Sequence, residues 1–479
     1  MAGRPNIIQI IWHDLGDWLA CYGRPDVASP ALDRFAAQGA LLEQHFATAP
    51  ASLPSLASLM TGRHPDPHDE LALNHRDWDD REGRQDSLAG LPALLRGAGY
   101  ETDHIGFRPE PGRDLWADVP VGEMEGPHLS AGEVASAAVD WLVRAAARDA
   151  APGDRPFYLS IDFPDVRRPY GTDFDVDLAE TLDVPGFLPD EAIVRKDMAA
   201  FYDRIRRADA EVGRILTALD EVGSTLAVAH RGDRPLFVFF TTDHGPELPR
   251  AKTTLYDPGI KVAFLCRWPG VIPQGRRLLH LTSHVDVLPT LLEVAGLPAP
   301  AQVEGRSFLK RLMGERGMTR DAVFAAMTWH EGEYDPMRCI RTWQYKYIRN
   351  WQPGWPVQVA GAIAQRYGEA FIVEHFGRPR PAEELYDLQD DPWELHNLAG
   401  LEEHQELRQE LEGRLGDWMS MLNDPLLRGP IAPREVDHFG SGSVWVKAPT
   451  HDPGNEEFRW ALLRTRDFGE RPFGSSEET

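Results

Sequence analysis

Residues 6–14 read "NIIQIIWHD". Isoleucines fill four of its first six positions, and the β-branched shape suits a strand buried on both faces. Two polar groups, His13 and Asp14, follow at once. In open α/β sheets, ligands gather beyond the C-terminal ends of such strands. The same pattern recurs in "LFVFFTTDHG" (236–245), which ends on Asp243 and His244, and more weakly in "PFYLSIDFPD" (156–165), which ends on Asp162 and Asp165.

Between these strands lie stretches with apolar residues at three- and four-residue spacing: "SPALDRFAAQGA" (29–40), "SLAGLPALLRGAGY" (87–100), "SAGEVASAAVDWLVRAAARDA" (130–150) and "VRKDMAAFYDRIRRADAEVGRILTALDEVG" (194–223). Strands alternating with helices predict an α/β fold, a mostly parallel sheet sandwiched by helices. "HVDVLPTLLEVAGLP" (284–298) predicts a helix that stops at Gly296 and Pro298. From about residue 321 the texture changes to aromatic strands such as "CIRTWQYKYIRN" (339–350), then a turn-rich segment, then the helix "QELRQELEGRLGDWMSML" (405–422). The expected division is a catalytic α/β domain over 1–320 and a smaller C-terminal α+β domain over 321–479 with an irregular tail.

With 479 residues and 42% apolar content the chain can bury a large core. Its 75 acidic against 50 basic residues leave a formal charge of −25, which disfavours nucleic acid and polyanions at long range. Cys21, Cys266 and Cys339 lie far apart with no metal or redox spacing, the usage of a reducing compartment. No run approaches the length of a membrane span, and "MAGRPNIIQIIWHD" enters a strand without a signal-like apolar region. These features give the expectation of a cytoplasmic protein without membrane partners.

"TAPASLPSLASLMTGRHP" (48–65) places Ser52 and Ser55 before an apolar-periodic run. On local pattern alone a serine there caps a helix by accepting a backbone N–H. Against that stands the chemistry of the strand ends. Carboxylates and imidazoles from two of them can share a divalent cation, and a hydroxyl beside such a cation becomes a usable nucleophile.

The chain resembles the sulfatases of the alkaline phosphatase superfamily, and within them the heparan N-sulfatase (sulfamidase) branch. Its loop follows the signature C/S-x-P-S-R-x-x-L-x-T-G through Ser52, Leu53, Pro54, Ser55, Leu59, Thr61 and Gly62. "AFLCRWPGVIPQG" (263–275), "SHVDVLPTLLEVAGLP" (283–298) followed by "EGRSF" (304–308), "YDPMRCIRTWQYKYIRN" (334–350) and "ELYDLQDDPWELHNLA" (384–399) match in the same order. The resemblance implies an alkaline-phosphatase-like fold and a hydrolase acting on a small anionic ester: a sulfate ester, a sulfamate or a phosphate ester. By position it puts the metal ligands on His13, Asp14, Asp243 and His244, the nucleophile on Ser52 and a sulfate-facing cation on Lys252.

The chain also departs from the family. His13 replaces the first of two aspartates, and His244 stands where many sulfatases carry asparagine. Imidazoles shift the preference for the divalent ion from calcium toward manganese, zinc or iron. The family converts its Cys or Ser to formylglycine, helped by an arginine four positions on; here that position is Leu56, and an unmodified Ser52 is expected in protein made without a dedicated maturase. The family's Lys-His pair falls near Phe107-Arg108-Pro109, and its later Pro-His pair on Pro164-Asp165. Arg108, Arg167, Arg168, His330 and Arg338 are the candidates to replace those groups at the substrate. Two other readings compete: a lapsed enzyme retained as a binding or scaffold protein, and the same pocket rewired for another transfer.

Overall fold

The computed structural model describes residues 4–65, 90–107, 129–148, 155–164, 166–229, 235–330 and 333–429. Its first part runs β1 (Asn6–Trp12), α1 (Pro30–Gln38), β2 (Ala40–Phe46), α2 (Ser52–Thr61), α3 (Leu91–Gly97), β3 (Glu101–Gly106), α4 (Ala131–Arg148) and β4 (Phe157–Phe163). It continues through α5 (Val176–Thr181), α6 (Ala192–Ala229), β5 (Leu236–Thr242), α7 (Asp257–Ile260), β6 (Phe264–Arg267), β7 (Arg276–Ser283), α8 (Val287–Val294) and α9 (Leu309–Leu312). There follow β8 (Ala322–His330), β9 (Glu333–Thr342), β10 (Tyr345–Asn350), α10 (Gly361–Tyr367), α11 (Glu369–Phe376), β11 (Glu383–Asp387) and α12 (Gln405–Met421).

The first seven strands form one sheet in the order β3-β4-β1-β5-β6-β2-β7. β1 lies inside it, parallel to both β4 and β5, while β6 runs antiparallel to its neighbours β5 and β2. Every residue of β1 is buried, as the isoleucine run predicts. Side chains alternate across the sheet. Ile8, Ile10 and Trp12, with Val238 and Phe240 of β5, enter the core built with α4 and α6. Ile7, with Phe237 and Phe239, enters the opposite core with Leu59 of α2 and Leu288 and Leu291 of α8. Each such side chain contributes roughly 1.5–3 kcal/mol by leaving water, so the register of the central strands is strongly fixed. The mostly parallel sheet sandwiched by helices is the architecture expected above.

The second sheet is antiparallel, ordered β11-β10-β9-β8. One face meets α12 through Ile340, Tyr347, Leu385, Leu411, Leu415 and Trp418. The other, with Val323, Ala325, Met337, Cys339 and Ile348, meets Phe46, Leu255, Tyr256 and Leu281 of the first part. Both sheets belong to one compact unit, Met1–Pro433. A further tie brings the second sheet to the serine loop, where the N–H of Ala326 donates to the carbonyl of Thr48 at 2.9 Å. Cys21, Cys266 and Cys339 are free thiols. Among the described residues no helix is long and apolar enough to cross a membrane.

Candidate active site

β1 and β5 end side by side, and their register sets Trp12 opposite Thr242. The residues just beyond are therefore neighbours. Asp14 adopts φ 54°, in the left-handed region that short polar side chains tolerate. This turn points its N–H at Asp243 Oδ1, 2.9 Å away. The N–H of His244 donates to the same oxygen at 2.7 Å. Gly245 follows because nothing larger fits: a Cβ there would lie 1.8 Å from the carbonyl oxygen of Pro258.

The donor atoms of Asp14, Asp243 and His244 all lie within 4.8 Å of one another, and all three residues are buried. His244 Nδ1–H donates to its neighbour's carbonyl, Gly245 O, at 2.8 Å. That bond fixes the tautomer and turns the Nε2 lone pair inward. Nε2 stands 3.0 Å from Asp14 Oδ1 and 3.5 Å from Asp243 Oδ2. A lone pair facing two carboxylate oxygens is repulsive unless a cation comes between them, either a second ring proton or a metal ion. Two carboxylates and an imidazole are suitable donors for a first-row divalent ion, so the residues fit the group that the family resemblance implies.

Ser52 opens α2, and its Oγ lies 3.2 Å from His244 Nε2. It does not cap the helix, because the capping position belongs to Ala51, in extended conformation and without a side-chain bond. Ser55 anchors the helix beneath, donating its hydroxyl to the carbonyl of Asp243 while meeting His284 Nδ1 at 2.8 Å. Gly62 ends α2 with φ 69°, where a Cβ would press to 2.8 Å from Val303. The T-G of the serine-loop signature is thus a helix stop under close packing.

Lys252 reaches the cluster from a loop in which Arg250 and Thr253 both have positive φ, 61° and 72°. For β-branched Thr253 this is a strained conformation. It is held by an N–H bond to Pro50 O at 3.2 Å and a hydroxyl bond to Gln358 O at 2.9 Å. The buried Lys252 Nζ donates to Asp14 at 3.2 Å and to Glu247 at 3.3 Å. Burial would lower the Lys252 pKa, but the charges of Asp14 and Glu247 outweigh it and raise it. Burial would likewise raise the Asp14 carboxyl, but Lys252 and His244 hold it below its ordinary range.

His13, expected among the ligands, is placed differently. Its Nδ1 is 2.7 Å from Asp243 Oδ2 and its Nε2 is 2.9 Å from Asp162 Oδ1. Both ring nitrogens are thereby engaged, and His13 is absent from the donor trio. Burial opposes its charge, yet Asp162 and Asp243 together push its pKa up to about 10.

Of the other expected anion contacts, Arg167 comes to the cluster. Its Nε is 3.5 Å from Asp14 Oδ2 with 41% of the side chain exposed, and its guanidinium lies over the Phe107 ring at 5.2 Å. Arg168 turns inward onto Asp197 and the carbonyl of Glu247. Arg338 is buried in the second sheet, where Asp424 and the carbonyls of Met327 and Met337 take its guanidinium, so it serves the packing of that sheet. His330 closes β8, and its carbonyl accepts from Gln358 at 3.2 Å. Arg108 lies outside the described residues. Asp162 and Glu247 are site residues to which the sequence reading gave no role. Asp162 had a signal, since it ends the third strand of the same pattern, whereas Glu247 had none.

Residues 5–297 match the family model described as Sulfatase, and residues 250–355 match the model for the C-terminal region of N-sulphoglucosamine sulphohydrolase. An ulvan-active sulfatase of Formosa agariphila is 28% identical over 452 residues, covering 90% of this chain and 83% of that protein. Human N-sulphoglucosamine sulphohydrolase is 26% identical over 475 residues, covering 89% and 92%. Among solved structures, the phosphonate monoester hydrolase of Agrobacterium radiobacter superposes with a TM-score of 0.61 at 19% identity, covering 90% of this chain and all of that one. A 2-O GAG sulfatase superposes with a TM-score of 0.63 at 23% identity, covering 89% and 94%. The family match spans more than half of the chain, and the chain belongs to the sulfatase family of sulfuric ester hydrolases.

Proposed function

We propose that this protein hydrolyses a small anionic ester, a sulfate ester or sulfamate or a phosphate ester, with Ser52 as nucleophile and a divalent cation held by Asp14, Asp243 and His244. The observation that carries the reading is the Ser52 hydroxyl 3.2 Å from an imidazole nitrogen that itself faces two buried carboxylates. When bound there, a divalent ion lowers the pKa of a neighbouring hydroxyl and polarises the transferring group. Ser52 Oγ forms the new bond to sulfur or phosphorus as the bond to the ester oxygen, or to the nitrogen of a sulfamate, breaks; the hydroxyl proton passes by way of solvent to the leaving atom, and water then releases the group from the serine. Lys252 and Arg167 face the charge that accumulates on the non-bridging oxygens. A plain serine favours phosphoryl transfer, because a sulfo-serine lacks the release route that an aldehyde hydrate provides. The one-imidazole, two-carboxylate set favours manganese or zinc over calcium. The names of the relatives point to sulfated sugars as the substrate class.

The test is elemental analysis of the purified full chain, peptide mass spectrometry of residue 52, and hydrolysis of 4-nitrophenyl sulfate, 4-nitrophenyl phosphate and N-sulfoglucosamine before and after chelation. The expected result is bound manganese or zinc, an unmodified serine, and turnover that is lost on chelation and restored by the ion. Metal-free protein inert toward all three substrates would overturn the proposal in favour of the scaffold reading.

Lys252→Ala is expected to reduce turnover by on the order of 10²–10³, the usual loss for one charge-stabilising contact. Steady-state kinetics on the same substrates check this, and full activity would remove Lys252 from the site.

A further inference from the structure

We propose that His13 and Asp162 form a brace that positions Asp243, so that His13 acts on the cation site without ligating it. The inference rests on the metal reading above. The imidazole lies between two carboxylates carried by the two strands that flank β1. His13 follows β1, Asp162 lies in β4, and Asp243 follows β5. These are three adjacent strands of the sheet. Ile11 is in register with Asp162, which sets that carboxylate beside the end of β1. The ring itself is completely buried, and Phe107 covers it edge-on at a centroid distance of 4.9 Å.

An imidazole has two nitrogens and no other polar atom. With Nδ1 at 2.7 Å from Asp243 and Nε2 at 2.9 Å from Asp162, both nitrogens are taken up by carboxylate oxygens. Asp243 is thereby held at both of its oxygens. Oδ1 accepts from the N–H groups of Asp14 and His244, and Oδ2 accepts from His13. A carboxylate held in this way cannot rotate, and its orientation is set before any ion arrives. Hydrogen-bonding partners of metal ligands work in this manner, and removing one typically lowers metal affinity by about 10–100-fold.

The experiment loads the full chain with Mn²⁺, measures affinity by electron paramagnetic resonance titration, and counts coordinated imidazole nitrogens by electron spin echo modulation, in the wild type and in Asp162→Asn. The brace predicts one coordinated imidazole nitrogen in both proteins and an affinity about 10–100-fold weaker in the variant. Two coordinated imidazole nitrogens in the wild type, or unchanged affinity in a folded Asp162→Asn, would overturn it while leaving the metal reading intact. No Mn²⁺ binding by the wild type would overturn both. If Asp162→Asn does not fold, the nitrogen count on the wild type decides alone.

Discussion

Ser52→Ala is expected to reduce turnover of 4-nitrophenyl phosphate, or of whichever ester the wild type cleaves best, by on the order of 10⁴–10⁶, while metal content and thermal unfolding stay as in the wild type. The size follows from the role, since removing a nucleophile takes away the covalent route and leaves only what charge stabilisation and binding supply. The unchanged stability follows from the structure. Ser52 is half-buried at the first position of α2, and it makes no capping bond whose loss would fray the helix. A surface-type substitution of this kind costs about 0.5 kcal/mol or less. Single-turnover kinetics with elemental analysis of the same sample check both halves. Activity within tenfold of wild type would return Ser52 to a structural role.

Lys346→Met is expected to destabilise the protein by about 3–5 kcal/mol, the cost of removing one partner from a buried ionic network. Lys346 sits on β10 with no exposed surface, and its Nζ lies 2.6 Å from Asp257, 2.8 Å from Glu394 and 3.0 Å from the carbonyl of Leu255. Without it both carboxylates remain in the interior. Burial already raises the Glu394 pKa to about 7 with the lysine present. Asp257 keeps Arg341 at 3.2 Å, so its loss is partial. Urea unfolding checks the prediction through the shift in midpoint at constant slope. Adding Glu394→Gln to Lys346→Met is expected to recover part of the loss, because Asp257 keeps Arg341 and position 394 then carries no unpaired buried charge. The network also supports the site. Asp257 opens α7, and the Gly259 carbonyl at its far side accepts the N–H of Gly245, next to His244.

Both halves of the central site could be read from the chain. "NIIQIIWHD" and "LFVFFTTDHG" announce buried strands that end on carboxylate and imidazole groups, and adjacent parallel strands bring such ends together. The serine loop was equally legible as a helix start. Whether Ser52 capped the helix or faced the strand ends depended on where that helix was docked.

The sequence by itself determined the strands, the alternation that makes a mostly parallel sheet, and the residue types at the strand ends, because periodicity and β-branching act locally. Only the tertiary structure decided what each of those residues touches. His13 meets Asp162, 149 positions away, so that both of its ring nitrogens face carboxylates. Arg167 and Arg168 are neighbours of one residue type, yet the first reaches Asp14 and the second Asp197, because successive side chains leave the backbone in different directions. Arg338 seemed free to meet an anion until the segment after α12 brought Asp424 against it. Partners this far apart in the chain are chosen by how sheets and helices pack, and packing depends on the whole set of buried surfaces, which no local pattern contains.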